Sequence, residues 1–151
     1  MPNLLDPKTK ESLLNRVNNL SPQSQGLWGK MNVQQMIVHI NDQIKVCNGT
    51  KSASPKGSSI SRAIAKFVAL YVPMKMPKNL KTFKELDQML EFATPITHFE
   101  KDKQELVALL NELSTNGKNE YIHPIFGNMS QKEMGKLTFI HLDHHLKQFG
   151  V

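Results

Sequence analysis

Six histidines lie at positions 39, 98, 123, 141, 144 and 145, and three of them crowd one short stretch, His141-Leu142-Asp143-His144-His145. Imidazole is the commonest neutral nitrogen ligand for zinc and similar metals, and two at i and i+4 on a helix can chelate one ion. His141 and His145 have that spacing, and spacing alone does not exclude His144. A helical wheel at about 100° per residue separates them. Phe139, Leu142, Leu146 and Phe149 define the inward stripe, with His141 and His145 beside it on the side of Met134 and Thr138. His144 points roughly opposite the stripe, as an exposed or supporting residue. An exposed two-histidine chelate is weak and unselective, so a third ligand must come from elsewhere. His39, beside the apolar stripe of another helix with Gln43 one turn on, is the best candidate. Three imidazoles with open coordination positions suit a catalytic rather than a closed structural site. Ordinary surface or cap histidines are the competing reading, since His141 and His145 are also favourable near a helix C-terminus. Spacing leaves both open.

The elements that would position these groups are legible from their punctuation. Asp6 before Pro7 is an N-cap with proline at the first helical position, and Leu13, Leu14, Val17 and Leu20 follow at helical period until Ser21-Pro22. Asn32 and Gln35 form a capping-box pattern opening Val33 to Cys47, with Asn48-Gly49 as the stop. A Lys/Ser/Gly/Pro-rich loop spans Thr50 to Ser59. Ile60, Ile64, Phe67, Val68 and Tyr71 give a further amphipathic helix, ended by Pro73. Thr82 and Glu85 mark a cap before Phe83, Leu86, Met89, Leu90 and Phe92. Thr94-Pro95 starts another helix, with Ile96, Phe99, Leu106, Leu110 and Leu113 inward. Residues 118–129 read as an aromatic, turn-rich connection, and Ser130 with Glu133 caps the last helix from Gln131. No internal repeat and no run of strict alternation stands out. The expected architecture is one all-α domain over 1–151, a bundle of four main helices with one or two short extra helices before the third.

Other groups carry weaker signals. His123-Pro124 before Phe126-Gly127 is read chiefly as a structural histidine in a tight connection, with a place at the site mouth as the second reading. Trp28 and Phe126 are expected to anchor loops in the core rather than wall a pocket. Cys47 is expected to be buried, because a reactive thiol needs an electropositive, accessible setting. His98 reads as surface, and neither Gln43 nor Asp42 makes a general base, so catalytic residues are unassigned.

The chain has 151 residues, 39% hydrophobic and 21% charged, which suits one domain able to bury its own core. One cysteine excludes an intramolecular disulfide framework and Cys-rich zinc modules. No run is long and apolar enough for a membrane span, and the first residues lack a secretory signal, so a cytoplasmic protein is expected. The formal charge of +6 lies in one block: residues 43–84 carry Lys45, Lys51, Lys56, Arg62, Lys66, Lys75, Lys78, Lys81 and Lys84 and no acidic residue. Such a block attracts phosphates, anionic lipid or an anionic small molecule, or simply keeps a linker soluble.

The segments Trp28-Gly29-Lys30-Met31-Asn32, Gln35-Met36, His39, His123-Pro124-Ile125-Phe126-Gly127 and His141-Leu142-Asp143-His144-His145-Leu146-Lys147-Gln148-Phe149-Gly150 resemble, in order along the chain, a branch of the DinB-like (DinB/YfiT) superfamily of unassigned function. One departure is Met134-Gly135, where this branch is expected to carry a tryptophan. The resemblance implies a four-helix bundle in up-down-down-up order. It also implies three histidine ligands, one on the second helix and an HxxxH pair on the fourth, which map onto His39, His141 and His145. The superfamily includes S-transferases and isomerases that use low-molecular-weight thiols. The implied function is a divalent-metal enzyme, with zinc, nickel or iron, that activates water or such a thiol against a small-molecule substrate, of hydrolase or S-transferase type. Asp143 or a nearby carboxylate would support the ligands. The alternatives are a non-catalytic metal-binding bundle and a nucleic-acid or anionic-surface binder acting through 43–84. The expected partner is a small molecule, with neither nucleic acid nor membrane, and the basic flank favours a homodimer.

Overall fold

A computed structural model describes residues 2–151. Its elements run α1 (Pro7–Asn18), α2 (Val33–Asn48), α3 (Ser59–Tyr71), α4 (Phe99–Thr115), β1 (Glu120–His123), β2 (Gly127–Ser130) and α5 (Gln131–Gln148). The caps behave as their chemistry requires. The Asp6 carboxylate accepts from the Thr9 N–H at 2.8 Å, and both Asn32/Gln35 and Ser130/Glu133 close reciprocal capping boxes. Gly49 ends α2 at φ 84, a left-handed conformation that disfavours a side chain.

Helices α1, α2, α4 and α5 share one core. Leu13 and Val17 of α1, Met36, Ile37, Ile40 and Ile44 of α2, Leu106 and Leu110 of α4, and Leu142 and Leu146 of α5 are all buried within it. Apolar stripes at helical period bury together because removing that area from water is the dominant favourable term in folding. The N-terminal segment lies across α5 at Gly135, where the Leu4 N–H donates to the Gly135 carbonyl at 3.2 Å. A Cβ on Gly135 would collide with the Asn3 side chain and with Leu5, so the glycine is what lets the chain pass there. Arg16 of α1 pins the other end of α5, pairing with Asp143 at 2.8 Å and donating to the Val151 carbonyl at 2.9 Å.

Four expectations need correction. The chain is mostly helical but not all-α, because β1 and β2 form an antiparallel hairpin in which His123 pairs with Gly127. Its inward side chains, Tyr121 and His123, alternate with exposed Glu120 and Ile122 for only four residues, too short a run to register as alternation. Residues 82–92 form turns rather than a helix. The Glu85 carboxylate lies 3.5 Å from the Lys56 ammonium, and among the apolar residues expected there Leu86 is buried while Met89, Leu90 and Phe92 stay exposed. Without a continuous buried face, nothing holds that segment helical. Helix α4 begins at Phe99, past Pro95 and the exposed Ile96. Finally, the apolar stripe of α3 lies outside the core rather than in it: Ile60, Ile64 and Phe67 are exposed, and Leu70, off that stripe, is the residue buried.

The acid-free block is answered by carboxylates from outside it. Lys45 pairs with Glu105, Lys51 with Asp42, Lys56 with Glu85 and Lys66 with Glu133. No helix among the described residues is long and apolar enough to cross a membrane.

Candidate metal centre

His39 projects from the middle of α2, and His141 and His145 from successive turns of α5. Nε2 of His141 lies 3.0 Å from Nε2 of His39 and 3.2 Å from Nε2 of His145. One potential ligand atom from each of the three falls within 4.8 Å of the other two. Nitrogens about 2.1 Å from one ion sit roughly 3.0–3.4 Å apart between octahedral and tetrahedral geometry, so the observed spacings fit a shared cation.

Hydrogen bonding fixes which ring nitrogens carry protons. Nδ1 of His39 is 2.8 Å from the Leu86 carbonyl oxygen, which only accepts, so Nδ1 donates and Nε2 presents a lone pair. Nδ1 of His145 is 2.7 Å from Oε1 of Gln148, whose Nε2 donates to the Trp28 carbonyl at 2.6 Å. The amide is therefore oriented, His145 donates from Nδ1, and its Nε2 also presents a lone pair. Both lone pairs face the His141 Nε2, which has at most one hydrogen to give. A neutral triad leaves at least one lone pair unanswered, and with His141 protonated on Nδ1 a divalent cation would answer all three.

Burial disfavours the charged form of all three rings. Burial pushes the His141 imidazolium well below its ordinary range, and the neighbouring His145 and His39 push it further. Burial also lowers His39, against partial opposition from its bond to Leu86. His145 is lowered to about 3, again by burial first. Neutral imidazole is the form that binds metal.

The triad opens onto a cavity of about 600 Å³. Trp28, Met31, Met76, Leu80, Phe83 and Phe126 supply apolar wall, and His123, Gln43, Lys81 and Asp87 supply polar groups. Trp28 is half-buried, with the Lys78 ammonium 4.2 Å above its ring and His144 at its edge, so it walls the cavity rather than filling the core. Phe126 does both, packing on the core and stacking on His123 at 4.4 Å. Nδ1 of His123 accepts the Ile125 and Phe126 N–H groups at 3.1 and 3.3 Å, so its Nε2 carries the proton. His123 thus serves the tight turn and also lines the cavity, and burial lowers it to about 4.

Asp143 does not support the histidines: it is held by Arg16 and by Lys147 at 2.6 Å. Asp42 is buried against Lys51 and Thr94. Gln43 lies on the cavity wall, donating weakly to Cys47 Sγ at 3.5 Å while its carbonyl oxygen is buried and unpartnered. Cys47 is buried and its thiol is pushed up to about 12 by desolvation, which makes it inert. His98 is exposed at the start of α4. Two orienting groups escaped the sequence reading. Gln148, three residues past His145, carried a usable i+3 signal; the Leu86 carbonyl, on a backbone brought in from a distant turn, carried none. No family model, curated protein or solved structure matches this chain, so the geometry of His39, His141 and His145 is what speaks for its function.

Proposed function

We propose that this chain is a divalent-metal-dependent enzyme of the DinB-like kind, a four-helix bundle in up-down-down-up order. In this reading His39, His141 and His145 hold zinc, nickel or iron. The observation that carries it is the convergence of two tautomer-fixed lone pairs, on His39 and His145, upon the third imidazole. A bound divalent ion lowers the pKa of a coordinated water or low-molecular-weight thiol, supplying a nucleophile at neutral pH for a hydrolase- or S-transferase-type reaction.

The chain's own residues do the rest. Leu86 and Gln148 hold two of the rings in their donor orientation. Trp28, Met31 and Phe83 exclude water from a small-molecule substrate, and His123 offers an N–H from the same cavity wall. Asp87, whose Oδ1 accepts from the Met89 N–H at 3.0 Å, is the carboxylate on that wall among the described residues. No carboxylate among the described residues hydrogen-bonds a triad histidine, which keeps a non-catalytic metal-binding bundle as the second reading.

The test is metal analysis after purification with added zinc, nickel, manganese or iron, followed by a screen for thiol transfer and hydrolysis. One ion per chain, with activity lost in both His39→Ala and His145→Ala, is the expected result. Stoichiometric metal with no activity for any substrate class favours the second reading. Absence of stoichiometric metal under every condition removes both.

A further inference from the structure

The outward face of α3 carries no charge. Ile60, Ile64, Phe67, Val68 and Tyr71 stand 75, 60, 61, 39 and 53% exposed, and the remaining exposed residues of the helix are two serines and Ala63. Its two cations are turned back onto their own chain. Arg62 donates to the Gly57 carbonyl and to Ser59 Oγ, each at 3.3 Å. Lys66 donates to the Asn128 carbonyl at 2.8 Å and pairs with Glu133 at 3.1 Å. The five apolar side chains expose roughly 500 Å², near the upper end of what a monomer leaves uncovered. Two such faces together remove about 1,000 Å² from water, the threshold of a specific interface.

We propose that a second copy of this chain covers this face, through an antiparallel pairing of the two α3 helices about a two-fold axis. The spacing of Ile60, Ile64, Phe67 and Tyr71 is four, three, four, which reads identically in both directions. Antiparallel pairing therefore sets Ile60 on the partner's Tyr71 and Ile64 on the partner's Phe67, a branched aliphatic against a ring in each case. Parallel pairing would set Phe67 on Phe67 and Tyr71 on Tyr71. An isologous two-fold needs a self-complementary patch, and this palindrome supplies one. At its ends the Tyr71 hydroxyl donates to Glu133 at 3.2 Å and the Lys136 ammonium sits 4.5 Å from the Tyr71 ring centre, giving the polar rim usual around an apolar interface. A lipid surface is the poorer occupant, because an interfacial helix directs its cations outward beside the apolar face, and here both point inward. The pairing stands independently of the metal centre.

Sedimentation at tens of micromolar chain tests it. The wild-type protein should sediment at twice the chain's mass, and Ile64→Glu and Phe67→Arg should each sediment as monomers with unchanged helicity by circular dichroism. Orientation is read by mild oxidation of Ile64→Cys chains, Phe67→Cys chains and their equimolar mixture. Cys47, 3% exposed, does not compete. The mixture should cross-link several-fold more than either alone. A monomeric wild type, including one that instead pellets with anionic vesicles, overturns the proposal. So does a dimer that survives both charge substitutions, or cross-linking equally strong within each single-variant sample.

Discussion

Oε1 of Gln148 stands 2.7 Å from Nδ1 of His145 while the same side chain donates 2.6 Å away to the Trp28 carbonyl. The Gln148 carbonyl in turn accepts from the Leu27 N–H at 2.7 Å. The end of α5 and the loop over the cavity are thus laced together at the point that decides the His145 tautomer. Gln148→Ala should lower metal affinity about 10- to 100-fold with the fold intact, as loss of a hydrogen-bond partner behind a ligating histidine does. Competition with a chromophoric chelator measures it. An unchanged affinity would mean that the ring is held by packing alone.

Metal should stabilise the folded chain. At a hundredfold excess over its Kd an ion contributes about 2.7 kcal/mol, and for a chain of this size that raises Tm by roughly 5–10 °C. Thermal melts with added zinc or nickel should show the rise, and a chelator should reverse it. In His39→Ala and His145→Ala the shift should vanish, whatever those substitutions do to the metal-free Tm.

His123 gives the pH dependence a sign. Its folded pKa is depressed to about 4 by burial, against an ordinary 6.5, so between these values the unfolded chain binds the extra proton. Stability from this group is fully present above pH 6.5 and falls as pH drops toward 4, by up to about 3 kcal/mol. Urea titrations at pH 7, 5 and 4 on wild type and His123→Phe should therefore differ in slope, the variant losing less on acidification. Carboxylates that titrate in the same range cancel in the comparison. Parallel curves would show that His123 does not carry the effect.

Asp42 is fully buried and its carboxylate accepts from the Lys51 ammonium at 2.6 Å and the Thr94 N–H at 2.9 Å. Lys51→Met leaves that charge short of its cation and should cost about 3 kcal/mol, the scale for breaking a buried pair. Thr94 anchors the segment that carries Leu86, so metal affinity should fall as well. Chemical denaturation and the chelator competition read the two effects separately, and a variant as stable as wild type would contradict the first.

Most of the helical framework was legible in the residues themselves. Capping boxes at Asn32 and Ser130 and apolar stripes at helical period are local physics, needing nothing beyond a few neighbouring residues. The pairing of His141 with His145 belongs to the same class, because i,i+4 spacing places both rings on one helix face. His39 could be nominated from its position beside a stripe. Its 3.0 Å approach to His141, across 102 residues of chain, came only from the packing of α2 with α5.

Tertiary structure alone decided the remainder. The stripe of α3 announces an amphipathic helix but not which way it faces, and with the core filled by four other helices it was left outside. The Thr82–Glu85 cap pattern marks a helix start only if an apolar face follows to be buried, and here one leucine is. That non-helical turn leaves the Leu86 carbonyl free to accept from His39, where a helix interior would have occupied it. Local sequence thus determined which side chains could hold a metal. Long-range packing determined the proton positions, because hydrogen-bond partners of a ring nitrogen need not be neighbours in sequence.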